Sequence, residues 1–525
     1  MEKRIILSIS LFAATLLSPL SPVAAQDSVP AATALMASAT LHADKPGATI
    51  DRRIFSQFAE HLGYGIYGGL WVGPGSKIPN TRGYRNDVVA ALKALAVPLV
   101  RWPGGCFADE YHWREGIGPR NQRPTKINTH WGGVTEPNSF GTHEFMDFAE
   151  LIGAEAYVSG NVGNGTPAEM AEWVEYMTAP AGTLADERAK NGRKQPWKLP
   201  YVGIGNELWG CGGNMRAEYA ADVTRRYATF VKSPRGTKIL KIASGANSRD
   251  YDWTDVMMRV AGKSIDGVGL HYYTHPTRGK VKGSATDFTE TDYARTLVST
   301  MVMEELLAKH GAIMDKYDPE KRVNLAVDEW GIWTDVEPGT NPGFLYQQNS
   351  MRDAIIAALN INLFARHADR VRMTNIAQMI NVLQAMILTK DDKMVLTPTY
   401  HVFEMYKPFQ DATFLPLDLK SPWYNKDQWT VPAVSAAAAR SKAGQVYISL
   451  TNTDPNRSAT VTAKLEGVQA ASVDGRILTA PDIQSHNDFG SPDVVRPVAF
   501  GGATVSPDGL SVTLPPHSVV VLALH

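Results

Sequence analysis

Apolar and polar positions follow two different rhythms along this 525-residue chain. From about residue 51 to residue 407, short apolar runs recur, each followed by enough chain for a helix. Eight runs stand out, ending near Glu60 (IFSQFAEH), Arg101 (VPLVRWPGG), Asn161 (AEAYVSGN), Glu207 (LPYVGIGNE), Asn247 (ILKIASGAN), His271 (DGVGLHYY), Glu329 (VNLAVDEW) and Gln378 (VRMTNIAQ). Between them, helical spacing predicts amphipathic helices over 86–95, 142–152, 168–177, 217–231, 293–310 and 347–365. Strand and helix alternating eight times predict an α/β fold, a closed (β/α)8 TIM barrel over 51–407.

Past Pro408 the helical spacing stops, and alternating runs such as QVYISLTN, SATVTAKL and SVVVLAL are punctuated by Gly, Pro, Asn and Asp. That rhythm predicts a C-terminal antiparallel β-sandwich domain over 408–525, jelly-roll-like in character. Residues 39–50 also read as a strand. It precedes the barrel without a helix of its own, so it is expected to join the sandwich. The glycine-rich stretches WVGPGS and GNVGNG lack the strand–turn–helix setting of a dinucleotide fingerprint and read as loops.

Composition narrows the partners. The chain is 44% hydrophobic and 20% charged with a formal net charge of −1, which points away from nucleic acid and from an anionic membrane, and toward a neutral substrate. Lys3 and Arg4, the apolar stretch 5–17 and the small residues Val23, Ala24 and Ala25 read as a cleavable leader over 1–25, and hence a secreted or periplasmic protein. Only two cysteines are present, Cys106 and Cys211, too few for a disulfide framework. Two unpaired thiols are the simpler expectation and one bridge the alternative, because sequence does not supply the Cα separation.

In a barrel of this kind, polar residues at the C-terminal strand ends share one pocket. Glu60, Arg101, Asn206, Glu207, His271, Tyr273, Asp328, Glu329 and Gln378 all fall where an apolar run finishes. Glu207 closes the fourth run and Glu329 the seventh, so their carboxyls face each other across the mouth. Two facing carboxyls suit glycoside hydrolysis, one protonating the leaving oxygen and the other attacking the anomeric carbon. A lone Glu after a strand is more often a salt bridge or a helix cap; two in matched settings weaken that reading. His112, His130, His143 and His275 show no ligand spacing, so neither a catalytic metal nor any other cofactor is expected. Trp102, Trp113, Trp131, Trp209 and Trp333 are candidates for stacking on sugar, Trp209 and Trp333 foremost.

The segments GIGNELWGCGG, LHYYTH, AVDEWGIW, FSQFAEHLG and RWPGGCFADEYHWREGIGPRNQRP resemble the motifs of glycoside hydrolase family 51, the α-L-arabinofuranosidases, and the resemblance runs from about residue 40 to the end. It implies a retaining, exo-acting enzyme on arabinan, arabinoxylan or their oligosaccharides, with Glu207 as acid/base and Glu329 as nucleophile. It implies further that Glu60 binds furanose hydroxyls, Asn206 the 2-hydroxyl, and Gln378 the far side of the sugar, with Gln384 close by as a rival. Tyr273 would sit by the nucleophile, Arg101 and His271 would support the carboxylates, and the protein would be a homo-oligomer. Cys106 stands where many relatives have Asn, and a thiol there reads as a small group under the sugar. β-Glucan- and xylose-releasing activities occupy the same scaffold and stay open as alternatives. A binding protein without catalysis is opposed by the presence of both carboxylates. Long inserts at 63–83 and 119–140 would favour a closed pocket if they fold over the mouth.

Overall fold

A computed structural model describes residues 34–277, 279 and 281–525; the expected leader lies outside the described residues. Strand β1 (Leu35–His42) alternates buried and exposed side chains, with Leu35, Ala37, Ala39 and Leu41 turned inward. It is shorter than the expected 39–50 and begins earlier. It runs parallel to Ala459–Glu466 and antiparallel to Leu417–Lys420, inside a five-stranded sheet completed by Gly509–Leu514 and Ala503–Ser506. A six-stranded sheet packs with it, ordered Thr413–Leu415, Val434–Arg440, Val446–Asn452, Ser518–Leu524, Val473–Leu478 and Val498–Ala499. Together they form the C-terminal β-sandwich.

The barrel closes from eight parallel strands in chain order: β2 (Ser56–Phe58), β3 (Leu99–Trp102), β4 (Glu155–Gly160), β5 (Tyr201–Ile204), β6 (Leu240–Asn247), β7 (Gly267–Thr274), β8 (Asn324–Ile332) and β9 (Val371–Ile376). Helices cover the outside, so strands such as β3 and β5 are buried at every position and read as unbroken apolar runs. Leu99, Tyr157, Tyr201, Ile242, Ala326 and Met373, one from each of six strands, form a buried cluster of their own. This layer fills the barrel, so the polar residues beyond it are confined to one end.

The helices Asn86–Leu95 and Thr142–Ile152 have the expected bounds, while Glu290–Tyr317 extends past the expected 293–310 at both ends. Thr183–Lys190, Tyr251–Ala261 and Pro398–Tyr406 add three more. Helix Met351–Arg366 is buried on nearly all sides, apart from Arg366 at its end, because it is wedged between the barrel wall and the sandwich. There the Asn362 amide donates to Ser435 Oγ at 3.2 Å and accepts from Ser449 Oγ at 2.7 Å. No helix among the described residues is long and apolar enough to cross a membrane.

Candidate active site

Every strand-end residue singled out above converges on one end of the barrel. Arg101, on β3, is the hub. Its guanidinium donates to Glu329 Oε1 at 3.0 Å, to the Asp328 backbone oxygen at 2.9 Å, to Asn206 Oδ1 at 2.5 Å and to Ser159 Oγ at 3.2 Å, and it lies 4.6 Å from the centre of the Phe58 ring. A planar fork with five donors is the side chain suited to joining three strand ends this way. Two glycines follow it because nothing larger fits. A Cβ on Gly105 would stand 2.9 Å from Glu329 Oε1, and one on Gly104 would stand 2.6 Å from Glu60 Cγ.

The two carboxylates have unequal surroundings. Glu329, on β8, takes a hydrogen bond from Arg101 on Oε1 and, at 3.0 Å, one from the Tyr273 hydroxyl on Oε2; His271 Nδ1 lies 3.4 Å from that same Oε2. Its side chain is 7% exposed. Burial pushes this carboxyl up, His271 and Arg101 pull it down, and Glu207 pushes it up again; the outcome is a raised pKa. Glu207, three residues past β5, accepts from His271 Nδ1 at 2.8 Å and is 19% exposed. Carboxylate oxygens of the two lie within 4.8 Å of each other. His271 also reaches Asp328 Oδ1 at 3.4 Å, and Asp328 accepts from Tyr157 at 2.9 Å. Burial alone would lower the imidazole's pKa, but the charges of Glu329, Asp328 and Glu207 outweigh it and raise it to about 10. Its Nδ1 contact with Glu207 is within hydrogen-bonding distance, whereas Nε2 stands 3.4 Å from Asp328 Oδ1, an oxygen with no hydrogen-bond partner among the described residues.

Glu60, just past β2, accepts from Trp131 Nε1 at 2.9 Å, from the Phe107 amide at 3.2 Å and from Gln378 Nε2 at 3.0 Å. Burial and the charge of Glu329 raise its pKa to about 7 against those donors. Gln378 keeps a buried amide oxygen with no partner and lines the cavity. Gln384 does not: its amide is taken up by the Ile332 amide, the Asp353 carbonyl and Thr399.

The cavity measures about 60 Å³. Trp131, Trp333, Leu345 and Leu383 wall it. Trp131 comes from the second long insert. The first insert meets a segment that sequence did not single out: Tyr64 packs edge-on against Phe344, ring centres 5.2 Å apart, and Leu345 follows Phe344 into the wall. Trp102 and Trp113 are core residues, and Trp209 donates to the Gly245 carbonyl outside the lining.

Two features were not legible beforehand. Asp109 is buried beyond the Pro-Gly-Gly motif and accepts from the amides of Val162, Gly163 and Asn206 at 3.0–3.1 Å. Burial raises its pKa to about 6 against those three bonds. Its only sequence signal was an acidic residue inside a segment already notable for other reasons. The second corrects the expectation of free thiols: Cys106 and Cys211 form a disulfide, their Cα atoms 5.6 Å apart across 105 residues of chain. The barrel brings the turns after β3 and β5 together, a proximity that spacing along the chain does not reveal.

Family models for the α-L-arabinofuranosidase 1 domain and the α-L-arabinofuranosidase C-terminal domain match residues 91–293 and 328–518. An intracellular exo-α-L-arabinofuranosidase of Bacteroides ovatus is 52% identical, the match covering 93% of this chain and 96% of that one. The crystal structure of a GH51 arabinofuranosidase from Xanthomonas axonopodis pv. citri superposes with a TM-score of 0.93 at 61% identity, covering 94% of this chain and 100% of that one. An α-L-arabinofuranosidase from Thermotoga maritima in complex with arabinose gives 0.81 at 30% identity, over 93% and 99%. The name of the Bacteroides relative runs against a secreted or periplasmic location, and the expectation of export through a cleaved leader is withdrawn. A basic start, a short apolar run and small residues after it are compositional features that a chain can carry without being exported.

Proposed function

The chain belongs to the α-L-arabinofuranosidases of glycoside hydrolase family 51 and is an exo-acting glycosidase, and on that premise we propose that Glu329 is its nucleophile and Glu207 its acid/base. What carries the assignment is the asymmetry between two carboxylates within 4.8 Å of each other. Glu329 is the deeper, held by Arg101 and Tyr273 with His271 close by, the donor set an ionised nucleophile needs. Glu207 is the more exposed and faces the rim, where a leaving group departs. A gap this short leaves no room for the water that an inverting enzyme places between sugar and base at a carboxyl separation of about 6.5 Å or more.

The reaction is then a double displacement. Glu329 attacks the anomeric carbon while Glu207 protonates the departing oxygen. Glu207, now ionised, next takes a proton from the water that releases the sugar. Arg101 fixes the Asn206 amide, so that its nitrogen is offered to the hydroxyl beside the reacting carbon, where hydrogen bonds strengthen in the transition state. Glu60 and Gln378 receive the other ring hydroxyls. A narrow cavity, far below the roughly 300 Å³ of common ligand pockets and walled by Trp131, Trp333, Leu345 and Leu383, is no open groove and offers a polymer chain no path through, which supports action at a chain end. That favours terminal arabinofuranosyl residues of arabinan, arabinoxylan and their oligosaccharides over the groove-binding β-glucanase alternative. A homo-oligomer acting on such glycans is part of the same reading.

Azide separates the two roles. In Glu207→Ala the glycosyl-enzyme should accumulate with a nitrophenyl α-L-arabinofuranoside, and azide should restore turnover and give the α-azide after two inversions. In Glu329→Ala turnover should drop by several orders of magnitude, and any azide product should be the β-anomer after one inversion. Exchanged anomers would reverse the assignment. Comparable rates of the unaltered enzyme on the β-D-xyloside and β-D-glucoside would overturn the substrate.

A further inference from the structure

The Cys106–Cys211 disulfide touches the chemistry. Cys211 Sγ lies 3.9 Å from Glu207 Oε2 and 3.9 Å from Asn206 Nδ2, and Cys106 lines the sugar cavity. Both cysteines are partly exposed. The two sulfurs and one Glu207 oxygen all fall within 4.8 Å of one another. As a disulfide the pair has little affinity for a cation. As two thiolates beside a carboxylate it is a donor set that zinc-class ions favour, with bonds of about 2.3 Å to sulfur and 2.0–2.2 Å to oxygen. The fourth position of a tetrahedral ion would open into the cavity and take a water. Because His271 engages Glu207 through Oε1, Oε2 is the oxygen left facing the sulfurs.

We propose that reduction converts this disulfide into a binding site for a thiophilic divalent cation, held by Cys106, Cys211 and Glu207, and that an ion there stops glycoside hydrolysis. The steps balance. A dithiol or phosphine reductant supplies two electrons, the S–S bond breaks and each sulfur takes a proton; the dithiol gives up its two thiol protons to become its disulfide, or the phosphine takes an oxygen from water, which releases two protons, to become its oxide. The cation then displaces both thiol protons and coordinates Glu207 Oε2. A carboxylate bound to the ion neither protonates a leaving group nor activates water. Binding does not depend on the catalytic roles proposed above, but the inhibition rests on Glu207 being the acid/base.

The whole enzyme, reduced and desalted without oxygen, is titrated with Co2+ as a spectroscopic stand-in for Zn2+. One equivalent should produce a near-ultraviolet thiolate-to-cobalt charge-transfer band with tetrahedral visible bands, and Zn2+ should displace it. Cys106→Ser and Cys211→Ser should each weaken the band at least tenfold in apparent affinity, and the oxidised enzyme should show none. Micromolar Zn2+ should lower turnover of the nitrophenyl arabinofuranoside more than tenfold in the reduced enzyme only, with recovery on adding a chelator. Absence of the band in the reduced enzyme overturns the proposal. So does equal inhibition of the oxidised form. Where the azide products show Glu207 to be the acid/base, a band without inhibition also overturns it, because Glu207 is then not a ligand. The azide products, which involve no metal, decide separately whether Glu207 is the acid/base.

Discussion

Among single residues, Asp109 makes a test that the carboxylates proposed as catalytic do not. It touches no reacting atom in the proposed mechanism, yet its carboxylate collects three backbone amides, one of them from Asn206, the neighbour of Glu207. Asp109→Ala strands those donors in a buried place at about 1–3 kcal/mol each, softened by whatever water enters. We expect a loss of roughly 3 kcal/mol in stability and a fall of about 10- to 100-fold in kcat/KM, since small misplacements of a reacting group are costly. Thermal denaturation and steady-state kinetics read both; a stability loss with kcat/KM within about twofold would mean that other contacts position the turn. The strand-end carboxylates, Arg101 and Gln378 were legible in the sequence because a barrel turns strand ends into a site. Asp109 was not, since its partners are main-chain amides and carry no residue identity.

Elements show where a local pattern meets its surroundings. Helix Thr142–Ile152 was readable to the residue from its apolar stripe, and in the structure it ends on an αL glycine, Gly153. Its first turn carries His143, whose environment was not readable. The ring pairs with Tyr176 at 2.7 Å and meets the Trp197 ring edge-on at 4.8 Å, and burial lowers its pKa to about 4 from the usual 6.5. A histidine with a depressed folded pKa supports the fold fully above 6.5, where both states are neutral. As pH falls from 6.5 toward 4, the unfolded chain takes up a proton that the folded one refuses, and stability declines. The ceiling is about 3 kcal/mol, reduced by the solvent the ring retains. Denaturant melts from pH 7 to pH 4 should show a shallower loss for His143→Gln than for the unaltered protein. Parallel curves would remove His143 from the acid response.

The whole molecule depends on its first described strand. β1 lies between two partners, parallel to Ala459–Glu466 along all eight residues and antiparallel to Leu417–Lys420. A chain lacking residues 1–42 would leave an eight-residue and a four-residue strand edge unpaired and open the sandwich core, which favours association through those edges. Against a chain beginning at Ala34, we expect aggregation on gel filtration or a midpoint lower by about 10 °C or more in calorimetry. A monodisperse product with an unchanged midpoint would show the sandwich to be complete without β1. The sequence by itself determined the class of fold, the eight barrel strands in order, the sandwich after Pro408 and the convergence of the strand-end residues. It did so because burial on both faces writes apolar runs and burial on one face writes alternation. Tertiary structure alone decided that the two thiols pair, which segment closes the cavity through Leu345, and which buried acid grips the turn before Glu207. Those contacts join residues far apart in the chain, and their geometry exists only once the barrel has closed.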